Sequence, residues 1–389
     1  MNNTLKHWRE AATLILAAGA QDGNEISKIQ NSSQQALPHA PKGISFDYDV
    51  LLLKRSQKSG FVPNAFVFPG GLVDASDFSN DWLKIFDKYN QKPNFGLGLV
   101  KQNPSGRSPM FVTDRTKFGS LLPSEVAFRI CAIRETFEEC GILLVVPENS
   151  DVEDNQNITS ISDHDPQVLG KWRREVQSNP FQFIQLCKEM HCVPNIWALH
   201  EWSNWLTPVL PNTSSIRRYD TAFYICCLQK KPLAIEDDKE VTSFKWWSPW
   251  EVLEEFKSQN IWLPPPQFYE LSRLCVVPDI HELHRFTHRR ALEGCEQWMP
   301  ILVRAEDGML HVLPGDELYP DEPDYTGEKK MLYSTDKTIE DLMKNSVRCH
   351  RYLQHNGIAH LCVNMEQKYK HLTPLSTDQT QSAKPKSRM

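Results

Sequence analysis

Between Ser124 and Ile142 the apolar positions recur on a helical period. Val126, Ile130, Ile133 and Phe137 fall on one side, and Glu135, Glu138 and Glu139 gather on the other. The spacing predicts a helix with a core face and an acidic face. Ser124 after Pro123 is the expected cap, and Gly141 after Cys140 the expected left-handed stop. Residues 142–146 read as a strand leaving that helix. Other strands are expected at 11–18, 48–55, 65–68, 219–228 and 244–247, each an apolar run bounded by polar or breaker residues. Residues 82–86, 172–187 and 250–256 read as helical, the last capped by Ser248 with Pro249 at its first position. Trp197, Trp202 and Trp205 lead into a further strand. Polar stretches at 21–41, 74–119 and 149–167 read as a linker, an inserted loop and a flexible excursion.

Three carboxylates at i, i+3 and i+4 repel one another and cost a bare helix a few tenths of a kcal/mol per pair, so a compensating cation is expected. Mg²⁺ and Mn²⁺ take oxygen ligands, and Mg²⁺ commonly shares one or two carboxylates with waters and substrate phosphates. A phosphate-bearing substrate follows. The competing reading is a solvated acidic face, but Phe128, Cys131 and Ala132 near that side are too apolar for plain surface.

The run Arg134-Glu135-Thr136-Phe137-Glu138-Glu139-Cys140-Gly141-Ile142 resembles the second half of the Nudix box, G-x5-E-x7-R-E-U-x-E-E-x-G-U with U aliphatic. Thr136 stands where the box has an aliphatic residue, and Val126 where it has glutamate eight before the arginine. The opening glycines appear instead at Phe68-Pro69-Gly70-Gly71, about fifty residues earlier, so an insertion within the box is expected. A second register, with Gly119 six before Glu125, lacks the Phe-Pro-Gly lead. The segments 127–132, 197–200, 205–208, 220–223, 262–270, 307–309 and 313–317 extend the resemblance to family members that act on acyl-CoA.

What the resemblance implies is an α/β fold, a Nudix α/β/α sandwich around a mixed sheet, with a helical C-terminal extension. The expected organisation is a Nudix hydrolase domain over 8–257 with its inserted loop at about 75–120, an extension over 258–375, and a flexible tail over 376–389. The implied activity is Mg²⁺- or Mn²⁺-dependent cleavage of the diphosphate in CoA and acyl-CoA, giving 3′,5′-ADP and a 4′-phosphopantetheine product. Glu135, Glu138 and Glu139 are the expected catalytic metal ligands, with Arg134 orienting a glutamate. Lys54, Arg55, Gly70 and Gly71 are candidate substrate contacts, and Glu240 is a candidate extra ligand or base, in competition with Glu236, Asp237 and Asp238. The Trp- and Pro-rich stretch 262–269 is either a wall of the acyl or pantetheine pocket or ordinary packing. Another nucleoside diphosphate derivative, NADH or a nucleotide sugar, remains an alternative substrate, and an inert nucleotide-binding module an alternative class.

Composition sharpens this picture in four respects. At 389 residues one large domain or two ordinary ones are expected. A net charge of −6 disfavours nucleic acid as a partner. Ten cysteines with no Cys-x-x-Cys pair point to a reducing compartment, without a disulfide framework or zinc site. No run approaches the roughly eighteen apolar residues of a membrane span. Ser387-Arg388-Met389 resembles a peroxisomal address of the Ser-Lys-Leu kind, which predicts peroxisomal localisation and the import receptor as a partner.

Overall fold

The computed structural model describes residues 8–20, 45–60, 62–150, 158–159, 164–209, 217–235, 241–325, 333–344, 346–355 and 358–376. Its centre is a mixed sheet of eight strands. β1 (Trp8–Gly19) lies in the middle, parallel to β8 (Arg218–Leu228) along its whole length. The other edge of β1 is shared, with β2 (Tyr48–Arg55) pairing at Ala17–Gly19 and β4 (Gly70–Leu72) at Ala11–Thr13, both antiparallel. β3 (Phe66–Val67) and β9 (Val241–Trp247) flank β2, while β7 (His200–Leu206) and β10 (Gln297–Trp298) extend the sheet beyond β8. β5 (Val145–Pro147) and β6 (Cys192–Pro194) form a separate antiparallel pair.

Alternation along β1 sorts the two layers that cover this sheet. Ala12, Leu14, Leu16 and Ala18 join one core cluster and Ile15 and Ala17 another, since successive strand side chains point to opposite faces. On the first face lie short helices α1 (Trp82–Ile85) and α2 (Pro109–Val112), the long helix α3 (Ser124–Cys140), α4 (Pro166–Ser178) and α5 (Gln182–Glu189). On the second face α6 (Pro249–Lys257), α7 (Pro265–Leu274) and α8 (Ile280–Arg290) supply Val252, Leu253, Phe268, Leu271 and Leu283. The α/β/α layering is present.

The extension begins with helices α7 and α8. It continues as a five-stranded sheet of β11 (Ile301–Arg304), β12 (Met309–Val312), β13 (Tyr333–Ser334), β14 (His350–His355) and β15 (Ile358–Val363), with short helix α9 (Ile339–Lys344) beside it. These strands are too short for alternation to be read with certainty from sequence; in β12 only Leu310 and Val312 are fully buried. Within the stretch 262–269, Leu263, Phe268 and Tyr269 are buried in the second core, as ordinary packing requires, and Trp262 is exposed. Trp262 also accepts the Phe66 amide at 2.9 Å.

Two boundaries of α3 differ from expectation. Pro123 occupies the cap position, and Ser124 makes no capping bond; its hydroxyl accepts from Arg115 Nε at 3.0 Å, tying the inserted segment to the helix start. The strand after Gly141 begins only at Val145, where β6 first runs alongside. Gly141 is left-handed with φ 73°, as expected. Ser248 caps α6 in a full capping box with Glu251. None of the ten cysteines is in a disulfide, and all are buried. No helix among the described residues is long and apolar enough to cross a membrane.

Candidate active site

Helix α3 is buried on both sides. Val126, Ile130, Ile133 and Phe137 are fully buried, and so are Phe128, Cys131 and Ala132. The inserted segment covers the outer side: Phe78 and Phe111 each meet the Phe128 ring edge-on at 5.8 Å, and Arg115 lies 4.8 Å over Phe78 while pairing with Glu10 at 2.6 Å. Further along, Arg107 clamps Glu125 and Glu201. The glutamates therefore emerge from an otherwise packed helix, which is why their neighbours in sequence are apolar.

The glycine turn docks on that acidic edge. Gly70 has φ 151°, and a Cβ there would overlap the Ala12 carbonyl oxygen across the β1–β4 ladder, so only glycine fits. At Gly71 an added Cβ would instead overlap the Glu135 carboxylate. The Gly70 amide donates to Glu139 Oε2 at 2.8 Å, and Glu139 is 6% exposed.

Arg134 organises the rest. Its Nε and Nη2 donate to the two carboxylate oxygens of Asp77, each at 2.8 Å, and Nη2 also reaches the Leu72 carbonyl at 3.1 Å. The remaining Nη1 donates to Glu135 Oε1 at 2.8 Å and Glu138 Oε1 at 2.7 Å. Bidentate pairing orients a guanidinium rigidly, so Asp77 aims Arg134 and Arg134 holds two glutamates. Burial pushes the Glu135 carboxyl up to about 7 against the opposing pull of Arg134, with Glu138 and Asp77 adding to the rise. Glu138 is raised for the same first cause, again opposed by Arg134.

Three carboxylates, Asp77, Glu135 and Glu138, thus share the Arg134 guanidinium, and Glu139 lies beside them on the Gly70 amide. Oxygen-rich, under-neutralised and partly buried, this donor set fits a hard divalent cation. Among the described residues no three carboxylate, imidazole or thiol groups converge as they would around a bound ion. Glu135 and Glu138 turn to Arg134, and Glu139 to Gly70.

Residues 8–274 match the family model described as the NUDT19 Nudix domain, and residues 302–364 that of the NUDT19 C-terminal domain. The chain belongs to the NUDT19 family of Nudix proteins. It is similar to three relatives that each bear the description acyl-coenzyme A diphosphatase NUDT19. That of Xenopus laevis is 61% identical over 378 residues, covering 97% of this chain and 98% of the relative. That of Gallus gallus is 51% identical over 383 residues, covering 96% and 97%, and that of Homo sapiens 42% over 370 residues, covering 94% of each.

Against the Nudix pattern, the geometry identifies a residue that sequence reasoning passed over. Asp77 lies six positions after Gly71, where the box carries glutamate, and it pairs with Arg134 at 2.8 Å. Asp77 stands near the start of the inserted loop expected at about 75–120. The spacing Gly71-x5-Asp77 is the signal in the sequence, obscured because aspartate stands in place of glutamate and because more than fifty residues separate it from Arg134.

The structure brings Gly70, Gly71, Arg134, Glu135, Glu138 and Glu139 together. Lys54 lies 6.0 Å over the Phe66 ring and Arg55 donates to Ser59 Oγ, which places both at the β2–β3 end of the sheet. Glu240 and its competitors Glu236, Asp237 and Asp238 lie outside the described residues, as does Ser387-Arg388-Met389.

Proposed function

We propose that this protein hydrolyses the diphosphate bond of CoA and acyl-CoA esters, releasing 3′,5′-ADP and (acyl-)4′-phosphopantetheine, with Mg²⁺ or Mn²⁺. The names of the three relatives, each aligned over nearly its full length, support the substrate. One observation carries the chemistry: Arg134 gathers Glu135 and Glu138 in a partly buried site where Glu139 meets the Gly70 amide. A divalent ion would be held by these glutamates, where it would neutralise diphosphate charge and acidify a water. Gly70 holds the Glu139 carboxylate, and Arg134 holds Glu135 and Glu138, so the three glutamates are kept along one edge of α3. Side-chain-free Gly70 and Gly71 leave their backbone open to close approach by phosphate oxygens.

Only residues 52–56 match the CoA signature of related Nudix enzymes, while residues 60–67 depart from it. That departure keeps NADH and nucleotide sugars in view as substrates. Incubating the purified protein with CoA, acetyl-CoA, NADH and a nucleotide sugar, with and without divalent metal, separates the readings by product. Release of 3′,5′-ADP with higher kcat/KM for CoA esters is expected, and preferential splitting of NADH into mononucleotides overturns the substrate assignment. No metal-dependent turnover of any substrate would leave the inert binding module. We further propose import into peroxisomes through Ser387-Arg388-Met389. A reporter carrying the last dozen residues should collect there and become diffuse when Met389 is removed; a diffuse pattern for the intact tail counts against it.

A further inference from the structure

Two of the three site glutamates stand in the final turn of their helix. Glu138 and Glu139 immediately precede Cys140, and the chain leaves helical geometry at Gly141. Carbonyls in a last turn have no partner within the helix, and such turns fray unless something outside binds them. Here the partners come from α4 and from the chain following β8. The Glu138 carbonyl accepts from Arg173 Nε at 2.9 Å and from Gln177 Nε2 at 2.8 Å. Arg173 Nη1 donates to the Ile235 carbonyl at 2.8 Å, and the Ile235 amide donates to the Cys140 carbonyl at 2.9 Å. Arg173 is buried, and its cation also complements the negative end of the α3 dipole.

We infer that Arg173, assisted by Gln177, is a positioning residue that holds the last turn of α3 so that Glu138 and Glu139 present their carboxylates together to a divalent ion. Arg173 reaches the backbone of the last turn at the Glu138 carbonyl, while Arg134 and Gly70 bond the Glu138 and Glu139 carboxylates. The inference rests on the metal reading of these glutamates. Groups that orient metal ligands typically cost about 10- to 100-fold in metal affinity when removed.

The experiment is direct Mn²⁺ binding to the full chain, read from the free-ion electron paramagnetic resonance signal, alongside thermal melting and steady-state kinetics on CoA. Arg173→Ala should raise the Mn²⁺ dissociation constant at least about tenfold, with KM for CoA at saturating Mn²⁺ close to that of the wild type. Arg173→Lys, which keeps a donor without the fork, should fall between. Wild-type Mn²⁺ affinity in folded Arg173→Ala overturns the inference. If that variant does not fold, Gln177→Leu removes an uncharged donor to the same carbonyl and should weaken Mn²⁺ by roughly threefold or more; unchanged affinity there overturns it equally. A wild-type protein that binds no Mn²⁺ is a separate result, which removes the metal reading itself.

Discussion

The Gly70 amide donates to Glu139 Oε2 at 2.8 Å, joining residues 69 positions apart in the chain. This bond reunites the glycine turn with the glutamate helix across the inserted segment. It works because β4 is held on β1 by the register Thr13↔Gly70 and Ala12↔Gly71, while α3 packs on the same face of that sheet. The relationship fixes different demands on the two glycines.

Gly71→Ala should separate activity from stability. Its Cβ would meet the end of a flexible side chain, Glu135, and the backbone needs no left-handed conformation. Melting temperature should change little while turnover falls at least about tenfold, because a displaced carboxylate loses its orientation. Gly70→Ala should do the reverse, losing more than about 1 kcal/mol of stability from a positive φ and a backbone clash. Equal melting temperatures for the two variants would contradict this division.

Glu135→Gln, Glu138→Gln and Glu139→Gln should each keep the fold and lower turnover by on the order of 10² to 10⁴. Phe137→Ala, on the core side of the same helix and fully buried, should instead cost about 3 to 5 kcal/mol through a cavity. Urea titrations set beside kcat measurements distinguish the patterns. Near-normal turnover in all three glutamine variants removes the metal assignment.

Asp77→Asn should be costly on both counts. Arg134 is 2% exposed and its partner 1%, so removing the charge leaves a buried guanidinium with one fewer carboxylate, about 3 to 5 kcal/mol of destabilisation. Release of Arg134 also loosens Glu135 and Glu138. Asp77→Glu restores the acid and should retain more activity than Asp77→Asn at equal protein concentration. If Asp77→Asn melts and turns over like the wild type, the orienting role is wrong.

Stability should depend on pH through His350. Its Nδ1 donates to the Pro314 carbonyl at 2.8 Å and its Nε2 lies 2.8 Å from the Tyr269 hydroxyl; burial pushes its pKa down to about 4, so the ring is neutral in the fold at neutral pH. Between the ordinary histidine value and about 4, the unfolded chain binds a proton that the folded chain refuses. Stability is therefore lost as pH falls through that window, by about 2 kcal/mol at pH 5 for this group alone. Asp220 acts with the opposite sign. Burial raises its carboxyl to about 7, so its contribution is lost as pH rises from about 4 to 7. The clean measurement is the difference in pH slope between wild type and His350→Gln; identical slopes from pH 7 to 5 contradict the assignment.

Local periodicity was enough to read α3, its acidic edge, the Gly141 stop, the capped helix after Ser248 and the long strand of β8, because each signal is carried by residues within one or two turns. The glutamates and Arg134 were legible for the same reason: i, i+3 and i+4 are neighbours on any helix. Burial on both sides of α3 was hinted by Phe128, Cys131 and Ala132, but what covers them was not. Phe78, Phe111 and Arg115 come from a segment whose composition reads as loop, and their value lies in contacts across the chain.

The sequence by itself determined which residues could form the site, since the chemistry of three helical carboxylates, an arginine and a glycine pair depends on residue type and short spacing. Only the tertiary structure decided how they are joined. The Asp77 pairing with Arg134, the Gly70 amide on Glu139, and the Arg173 and Gln177 bonds to Glu138 link residues 57, 69, 35 and 39 positions apart. The small sheet of the C-terminal extension likewise needed its partner strands to become visible. The physical reason is common to all of them: a hydrogen bond or a strand ladder depends on distance in space, which the folded sheet sets and which spacing along the chain does not record.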